Sequence, residues 1–190
     1  MANPIDIFRE LFERAAQACA EPDAMVLSTA DSDERPSVRY VLLKAFDERG
    51  FVFYTHLESR KARELAANPY ASLCFYWAAI EKQVRIDGSA ERVSDDEADA
   101  YFATRPRESQ IGAWASAQSA VLESRELLEE RVIAAQERFK GGVVPRPPFW
   151  SGFRVVPSAI EFWTRHPARL HARERYKRSG EGWSRTLLYP

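Results

Sequence analysis

Cysteine, histidine and glycine are all sparse in this chain, and each scarcity excludes a chemistry. Cys19 and Cys74 are isolated thiols with no CxxC, so neither a disulfide framework nor a thiolate metal site is indicated, and both are expected reduced and partly buried. The three histidines, His56, His166 and His171, form no HExxH pair, and no metal site is expected. There is no GxxxxGK(S/T) phosphate loop, no GxGxxG and no GxSxG elbow, and nothing points to a dispersed Ser-His-Asp triad. No apolar run approaches the ~20 residues that cross a bilayer, and the N-terminal MANPIDIFRELFERAAQACAE is acidic and amphipathic rather than a secretion leader. A cytoplasmic protein without a membrane partner is expected. An excess of one charge is missing as well, since 27 Lys and Arg face 28 Asp and Glu. With 45% apolar and 12% aromatic residues in 190, the composition is that of a globular chain with one sizeable core, not of a disordered, collagenous or coiled-coil one.

The pattern of what is present divides the chain into four stretches. Asn3-Pro4 reads as an N-cap followed by proline at the first helical position, and Ile5, Phe8, Leu11, Phe12 and Ala15 make one apolar stripe of a helix over 4–20. From about 24 to 94 the period shortens. AMVLSTA, SVRYVLLKAF and FVFYTHL read as an antiparallel meander separated by DSDERP and DERG. Ser59 caps a short helix ended by Asn68-Pro69, and YASLCFYW and EKQVRIDGSAERV supply two more strands. Five closely connected strands predict a barrel. A helical stretch over about 94–140 opens on the capping box Ser94-Asp95-Asp96-Glu97, is interrupted at Pro106, resumes over 122–139 and stops at Gly141-Gly142. FRVVPSAIEFWTR, ARLHARERYKR and GWSRTLLYP return to strands over about 152–189, with a tight SGEG turn. The expected fold is mostly β with flanking helices, an α+β single domain over 1–190.

Charge is uneven along this layout. Residues 1–34 carry eight acids against Arg9 and Arg14, and 165–185 carry seven Lys or Arg against Glu174 and Glu181. Three small cation clusters follow. Arg60 and Lys61 occupy the first helical turn, beside free N–H groups and the positive end of the dipole, which costs ~0.3–1 kcal/mol per charge unless an anion docks there. Arg105 lies at the junction forced by Pro106, with Ser109 near fresh N–H donors. Arg169, His171 and Arg173 share one strand face by alternation, leaving Leu170 and Ala172 on the other. Each cluster also reads as a solvated face, and spacing alone does not choose.

RYVLLK (39–44), FVFYTHLESRKARELAANP (51–69), IEKQVRIDGSAERVS (80–94), YFATRPRESQIGAWAS (101–116), AQS (117–119), FWSGFRV (149–155), IEFW (160–163) and RLHAR (169–173) together closely resemble the pyridoxamine 5'-phosphate oxidase family, in the family's order, from about residue 24 to 190. The resemblance implies an FMN-binding split β-barrel acting as a homodimer, with the flavin at the subunit interface. It implies FMN contacts from the segment Arg39, Tyr40, Val41, Leu42, Leu43 and Lys44. Further contacts are implied from Tyr54, Thr55, Arg60 and Lys61, and from Gln83, Gln118, Ser119, Trp163 and Arg173. Arg60 and Lys61 would grip the flavin phosphate. Lys44, Tyr101, Arg105 and Ser109 would hold the substrate phosphate, while Arg169, Leu170 and His171 flank its ring. Arg169 and His171 are the implied catalytic pair. The implied reaction oxidises pyridoxamine or pyridoxine 5'-phosphate to pyridoxal 5'-phosphate, with O2 as acceptor and H2O2 as product.

Three features depart from the family pattern or strain the reading. Ala172 stands where many relatives carry Asp, and Leu187 where the closing motif often has Arg. The chain is expected to lack the longer N-terminal extension that covers bound substrate in some members, leaving a more open pocket. On a regular strand Arg39 and Lys44 would face opposite sides, which calls for a bulge, a strand end or two sites. A sister flavin oxidase of the phenazine-biosynthesis type is the alternative. A barrel binding nucleic acid through its basic tail would show steep salt dependence and no flavin, and is disfavoured by the near-zero net charge.

Overall fold

The computed structural model describes residues 3–190. Its elements, in chain order, are α1 (Pro4–Ala18), β1 (Ala24–Ala30), β2 (Pro36–Leu42), β3 (Ala45–Asp47), β4 (Gly50–His56), α2 (Arg60–Ala67), β5 (Tyr70–Trp77) and β6 (Lys82–Arg92). There follow α3 (Asp95–Thr104), α4 (Arg107–Ala115), α5 (Arg125–Arg138), β7 (Trp150–Thr164), β8 (Ala172–Ser179) and β9 (Gly182–Leu188). The mostly antiparallel sheet curls into a split barrel with flanking helices, in the order β2-β1-β5-β6-β7-β4-β3, with β8 and β9 continuing from β7. No helix among the described residues is long and apolar enough to cross a membrane.

The expected meander is corrected by the way the barrel closes. SVRYVLLKAF is two strands: among the described residues β2 pairs only with β1, β3 pairs only with β4, and β2 and β4 do not pair. At the break, the Leu43 amide donates to Asp23 at 2.8 Å and the Lys44 amide to Val52 at 2.8 Å, so the chain passes from one rim of the sheet to the other within two residues. The alternation of side chains restarts there, which is how Arg39 and Lys44 come to border one cleft.

β7 is the second organiser. It pairs along one side with β6, while on its other side residues 150–155 pair with β4 and residues 159–164 with β8. Pro157 falls between the two, where a missing N–H costs no ladder bond, and next to it β7 bulges at Ser158, the extra residue opposite Asp87/Gly88 of β6. Inside the barrel α1 lays Ile5, Phe8, Leu11 and Ala15 on the core. Phe8 is fully buried, with the rings of Phe46, Phe51 and Phe75 edge-on at 4.9–5.2 Å, an arrangement the aromatic quadrupole favours.

Other boundaries shift for local reasons. α1 stops at Ala18 rather than Ala20, ahead of Pro22, whose carbonyl accepts the Trp77 indole N–H at 2.9 Å. α5 starts at Arg125 rather than 122 because Ser124 takes the cap, accepting the Leu127 amide at 3.2 Å. Ser59 occupies the cap position of α2 but makes no capping bond; its hydroxyl lies 3.3 Å from Thr55 Oγ1 and 3.4 Å from Lys61 Nζ. At Gly50, φ is +140° and an added Cβ would sit 2.1 Å from the Val155 carbonyl oxygen. Gly50→Ala is therefore expected to lower the unfolding free energy by about 3 kcal/mol or more, since neither backbone can retreat without breaking the β4–β7 ladder. A urea midpoint equal to the parent's would refute that close approach.

Candidate active site

The α3–α4 corner, β4, the end of β2 and the start of α2 enclose a cleft of 850 Å³. It brings together Arg39, Tyr40, Val41, Leu42, Lys44, Tyr54, Thr55, Lys61, Tyr101, Arg105, Ser109 and Gln118, twelve of the residues singled out in the sequence. Leu43 turns inward and is buried, which keeps it from the cleft.

One wall is the N-terminus of α2. Lys61 Nζ donates to Gln118 Oε1 at 2.8 Å and Thr55 Oγ1 at 3.1 Å, and burial, reinforced by Arg39 and partly offset by Glu64, pushes its ammonium down to about 8. The Arg60 amide donates to Ser119 Oγ at 3.2 Å, so the loop after α4 is tied to this helix end, with Ser119 in the left-handed region at φ +72°. Beneath lies Glu64, a buried carboxylate that accepts from Arg60 Nε at 2.7 Å, Arg39 Nη2 at 3.1 Å, Ser37 at 2.6 Å and the Thr29 hydroxyl. Burial alone would raise its pKa, but these hydrogen bonds hold the carboxyl down to about 2. Lys61 and Arg39 both line the cleft, and the guanidinium groups of Arg39 and Arg60 are engaged by Glu64 from below.

The opposite wall is the corner that Pro106 imposes. Arg105 ends α3 in extended conformation and Pro106 precedes α4, as the sequence predicts. The Arg105 guanidinium lies over the Trp150 ring at 4.9 Å and the Phe102 ring at 5.4 Å, and its Nη1 is buried without a hydrogen-bond partner. Burial depresses the pKa of this guanidinium. Tyr54, Tyr101 and Trp150 form a parallel stack, with Tyr54 to Tyr101 at 4.0 Å and Tyr54 to Trp150 at 5.1 Å; burial pushes the Tyr54 hydroxyl up to about 12. Lys44 Nζ pairs with Asp23 at 2.8 Å.

The remaining expected residues lie away from this cleft, on β6, β7 and β8 and in the turn that precedes β8. Gln83, Trp163 and Arg173 are opposite one another on β6, β7 and β8, so they share a face. The Trp163 ring lies 4.5 Å from that of His171, and Arg173 donates to Glu161 at 2.7 Å and to the Tyr189 carbonyl at 3.0 Å. The expected strand alternation through RLHAR is corrected. β8 begins only at Ala172, and Pro167–Arg169 is a tight turn with Ala168 at φ +57° and Arg169 at φ +62°, both in the left-handed region. Pro167 presets φ and has no N–H for a ladder, which starts the turn. His171 is placed instead by its Nδ1, which accepts the His166 amide at 3.2 Å and leaves the ring proton on Nε2.

Sequence reasoning missed three residues here. Trp150 and His56 line the cleft, and Glu64 organises its floor. Only Glu64 had a signal, its i,i+4 spacing from Arg60 on the same helix.

The family model described as Pyridoxamine 5'-phosphate oxidase matches residues 11–139, and the one described as Pyridoxine 5'-phosphate oxidase C-terminal dimerisation region matches 150–190. The chain belongs to the pyridoxamine 5'-phosphate oxidase family. Among proteins of that family it is similar to the pyridoxine/pyridoxamine 5'-phosphate oxidase of Myxococcus xanthus (strain DK1622), 59% identical over 99% of this chain and 92% of the relative. The protein of the same name from Rubrobacter xylanophilus is 58% identical over 99% of this chain and 87% of its own length. Among solved structures, PhzG from Burkholderia lata 383 in complex with tetrahydrophenazine-1-carboxylic acid superposes with a TM-score of 0.94 at 36% identity, covering 100% of this chain and 94% of that one. An FMN binding protein from Nostoc punctiforme PCC 73102, related to pyridoxamine 5'-phosphate oxidase, shares the fold at TM-score 0.79 and 17% identity, over 100% of this chain and 98% of that one.

Proposed function

We propose that the protein is a cytoplasmic, homodimeric, FMN-dependent oxidase that converts pyridoxamine and pyridoxine 5'-phosphate to pyridoxal 5'-phosphate, with O2 as acceptor and H2O2 as product, and ammonia from the amine. The observation that carries this reading is the pair of separate cationic walls in one cleft, one built on α2 and the other on the α3–α4 corner. Two phosphate-bearing molecules held together would need both.

FMN fits the first wall. The α2 N-terminus lacks a side-chain cap, Lys61 faces the cleft, and Gln118 and Ser119 are fixed beside it. When bound, FMN would supply the two-electron acceptor. The second wall suits the substrate phosphate: Arg105 brings a buried Nη1 awaiting an acceptor, with Lys44, Tyr101 and Ser109 around it. Arg169 and His171 would act on the substrate ring, His171 donating from Nε2 to a ring substituent and Arg169 orienting the ring and stabilising charge that develops on it.

These last residues are not at the cleft of their own chain, which supports completion of the site by a second copy. Val38, Tyr40, Leu42 and Tyr76 expose an apolar outer face on β2 and β5, next to the Gln83, Trp163 and Arg173 row. The match of residues 150–190 to a dimerisation region points the same way.

The phenazine-type reading is kept because of the likeness to PhzG. The deciding experiment is an absorbance spectrum of the purified protein, followed by anaerobic addition of either pyridoxine 5'-phosphate or a tetrahydrophenazine carboxylate. Bleaching of a flavin band by the first is expected. Bleaching by the second alone would transfer the protein to the sister class, and a colourless protein that takes up no FMN would end both readings.

A further inference from the structure

The turn that joins β4 to α2 is held by one imidazole. His56, the last residue of β4, is buried, and its ring lies 4.7 Å from that of Phe149. Its Nδ1 accepts the Glu58 amide at 3.1 Å and its carbonyl accepts the Ser59 amide at 3.1 Å, while the Leu57 amide donates to Phe149 at 2.7 Å. These bonds fold residues 57–59 into the tight bend that delivers Lys61 and the N-terminus of α2 to the cleft. Because Nδ1 accepts, the neutral ring carries its proton on Nε2, which makes no hydrogen bond among the described residues.

We propose that His56 is a positioning residue of the phosphate-binding wall: as a neutral imidazole it holds the Glu58 amide and so sets the bend that aims Lys61 and the α2 N-terminus at a phosphate monoester in the cleft. This rests on the reading that FMN seats its phosphate there.

The same geometry gives the wall a sensitivity to acid. Protonation would place an N–H at Nδ1 against the Glu58 N–H, replacing a hydrogen bond with two opposed donors. The charged groups around the ring are Glu58 and Lys61. Burial is the strongest influence and keeps the ring neutral, Glu58 opposes it, and Lys61 reinforces it weakly. A phosphate seated on Lys61 would counter only that weakest influence, so the ring stays neutral near pH 7 and the bend opens as pH falls below the ordinary imidazole range.

Two variants test this. His56→Asn places Oδ1 where Nδ1 stands, in the geometry of an Asx turn, and keeps the acceptor without a titratable group. His56→Leu removes the acceptor and keeps the bulk. FMN dissociation constants from quenching of flavin fluorescence, taken between about pH 5.5 and 8, would be read beside hydrogen exchange of the Glu58 amide in FMN-free protein. Expected at neutral pH are about tenfold weaker binding in His56→Leu and within about threefold of the parent in His56→Asn. On acidification the parent weakens more steeply than His56→Asn, whose remaining slope combines the second ionisation of the phosphate with the titration of Lys61, held down to about 8 and common to both proteins. Equal affinity in His56→Leu and parent overturns the proposal. So does a parent that tightens in acid relative to His56→Asn, since the imidazolium would then be acting as a ligand charge. If no form binds FMN, the cofactor reading fails, and faster Glu58 exchange in His56→Leu but not in His56→Asn would still establish the anchor.

Discussion

Replacing Arg105 with Met is expected to lower kcat/KM for the phosphorylated substrate by about two to three orders of magnitude, and to leave the ligand-free protein as stable as the parent or more so. The two effects have one cause. Arg105 stacks on Trp150 and Phe102, but its Nη1 is buried with no acceptor, and burial already depresses its pKa. An unpaired guanidinium is a liability in the empty protein and becomes favourable only when an anion arrives. Methionine keeps the contact with the rings and removes the desolvated charge, so packing is retained while the phosphate oxygens lose their N–H donor. Arg105→Lys should rescue little, because an ammonium cannot reproduce the planar, two-pronged contact or the stacking. Steady-state kinetics and a thermal melt check both halves. A melting temperature that falls by several degrees with unchanged kinetics would make Arg105 a structural residue and remove the substrate wall.

Glu64→Gln should be the most destabilising polar substitution in the site, by roughly 3 kcal/mol at neutral pH. Glu64 accepts from two arginines and two hydroxyls under the α2 wall, and the amide would leave Arg39 and Arg60 without a counter-charge. The dependence on pH has a definite sign. The folded carboxyl is held at about 2 against an ordinary value of 4.5, so its contribution is complete above 4.5 and is lost as pH falls through about 2. That difference corresponds to roughly 3 kcal/mol, in line with the loss expected from the amide. Urea titrations at pH 7 and pH 3 test this: the parent should lose stability between the two, and Glu64→Gln should lose less. Parallel losses would show that Glu64 is not the group responsible.

Much of this architecture is legible in the residues because it depends on local rules. The α1 stripe, the Ser94 cap, the corner at Pro106 and the Ser179–Gly182 hairpin turn each follow from spacing and backbone preference over a few residues, and each is found. What escaped depends on partners far along the chain. SVRYVLLKAF alternates like one strand, and nothing within it reveals that Leu43 and Lys44 bond to different rims. RLHAR alternates equally well, yet Pro167 turns the segment before β8 can begin. For the site, charge pattern and resemblance identified the cations but not their counterparts, since the burial of Glu64 and the tautomer of His56 are set by tertiary packing.

The long strand β7 also governs when the cleft can exist. Its first residues supply Trp150 and, among the described residues, the one partner of β4 besides the short β3, with Val52 opposite Arg154. On the ribosome, synthesised from the N-terminus, the β3–β4 hairpin and α2 emerge long before that partner does. The cleft is therefore complete only once Trp150 and the strand that backs β4 have left the ribosome, so its walls come together late in synthesis.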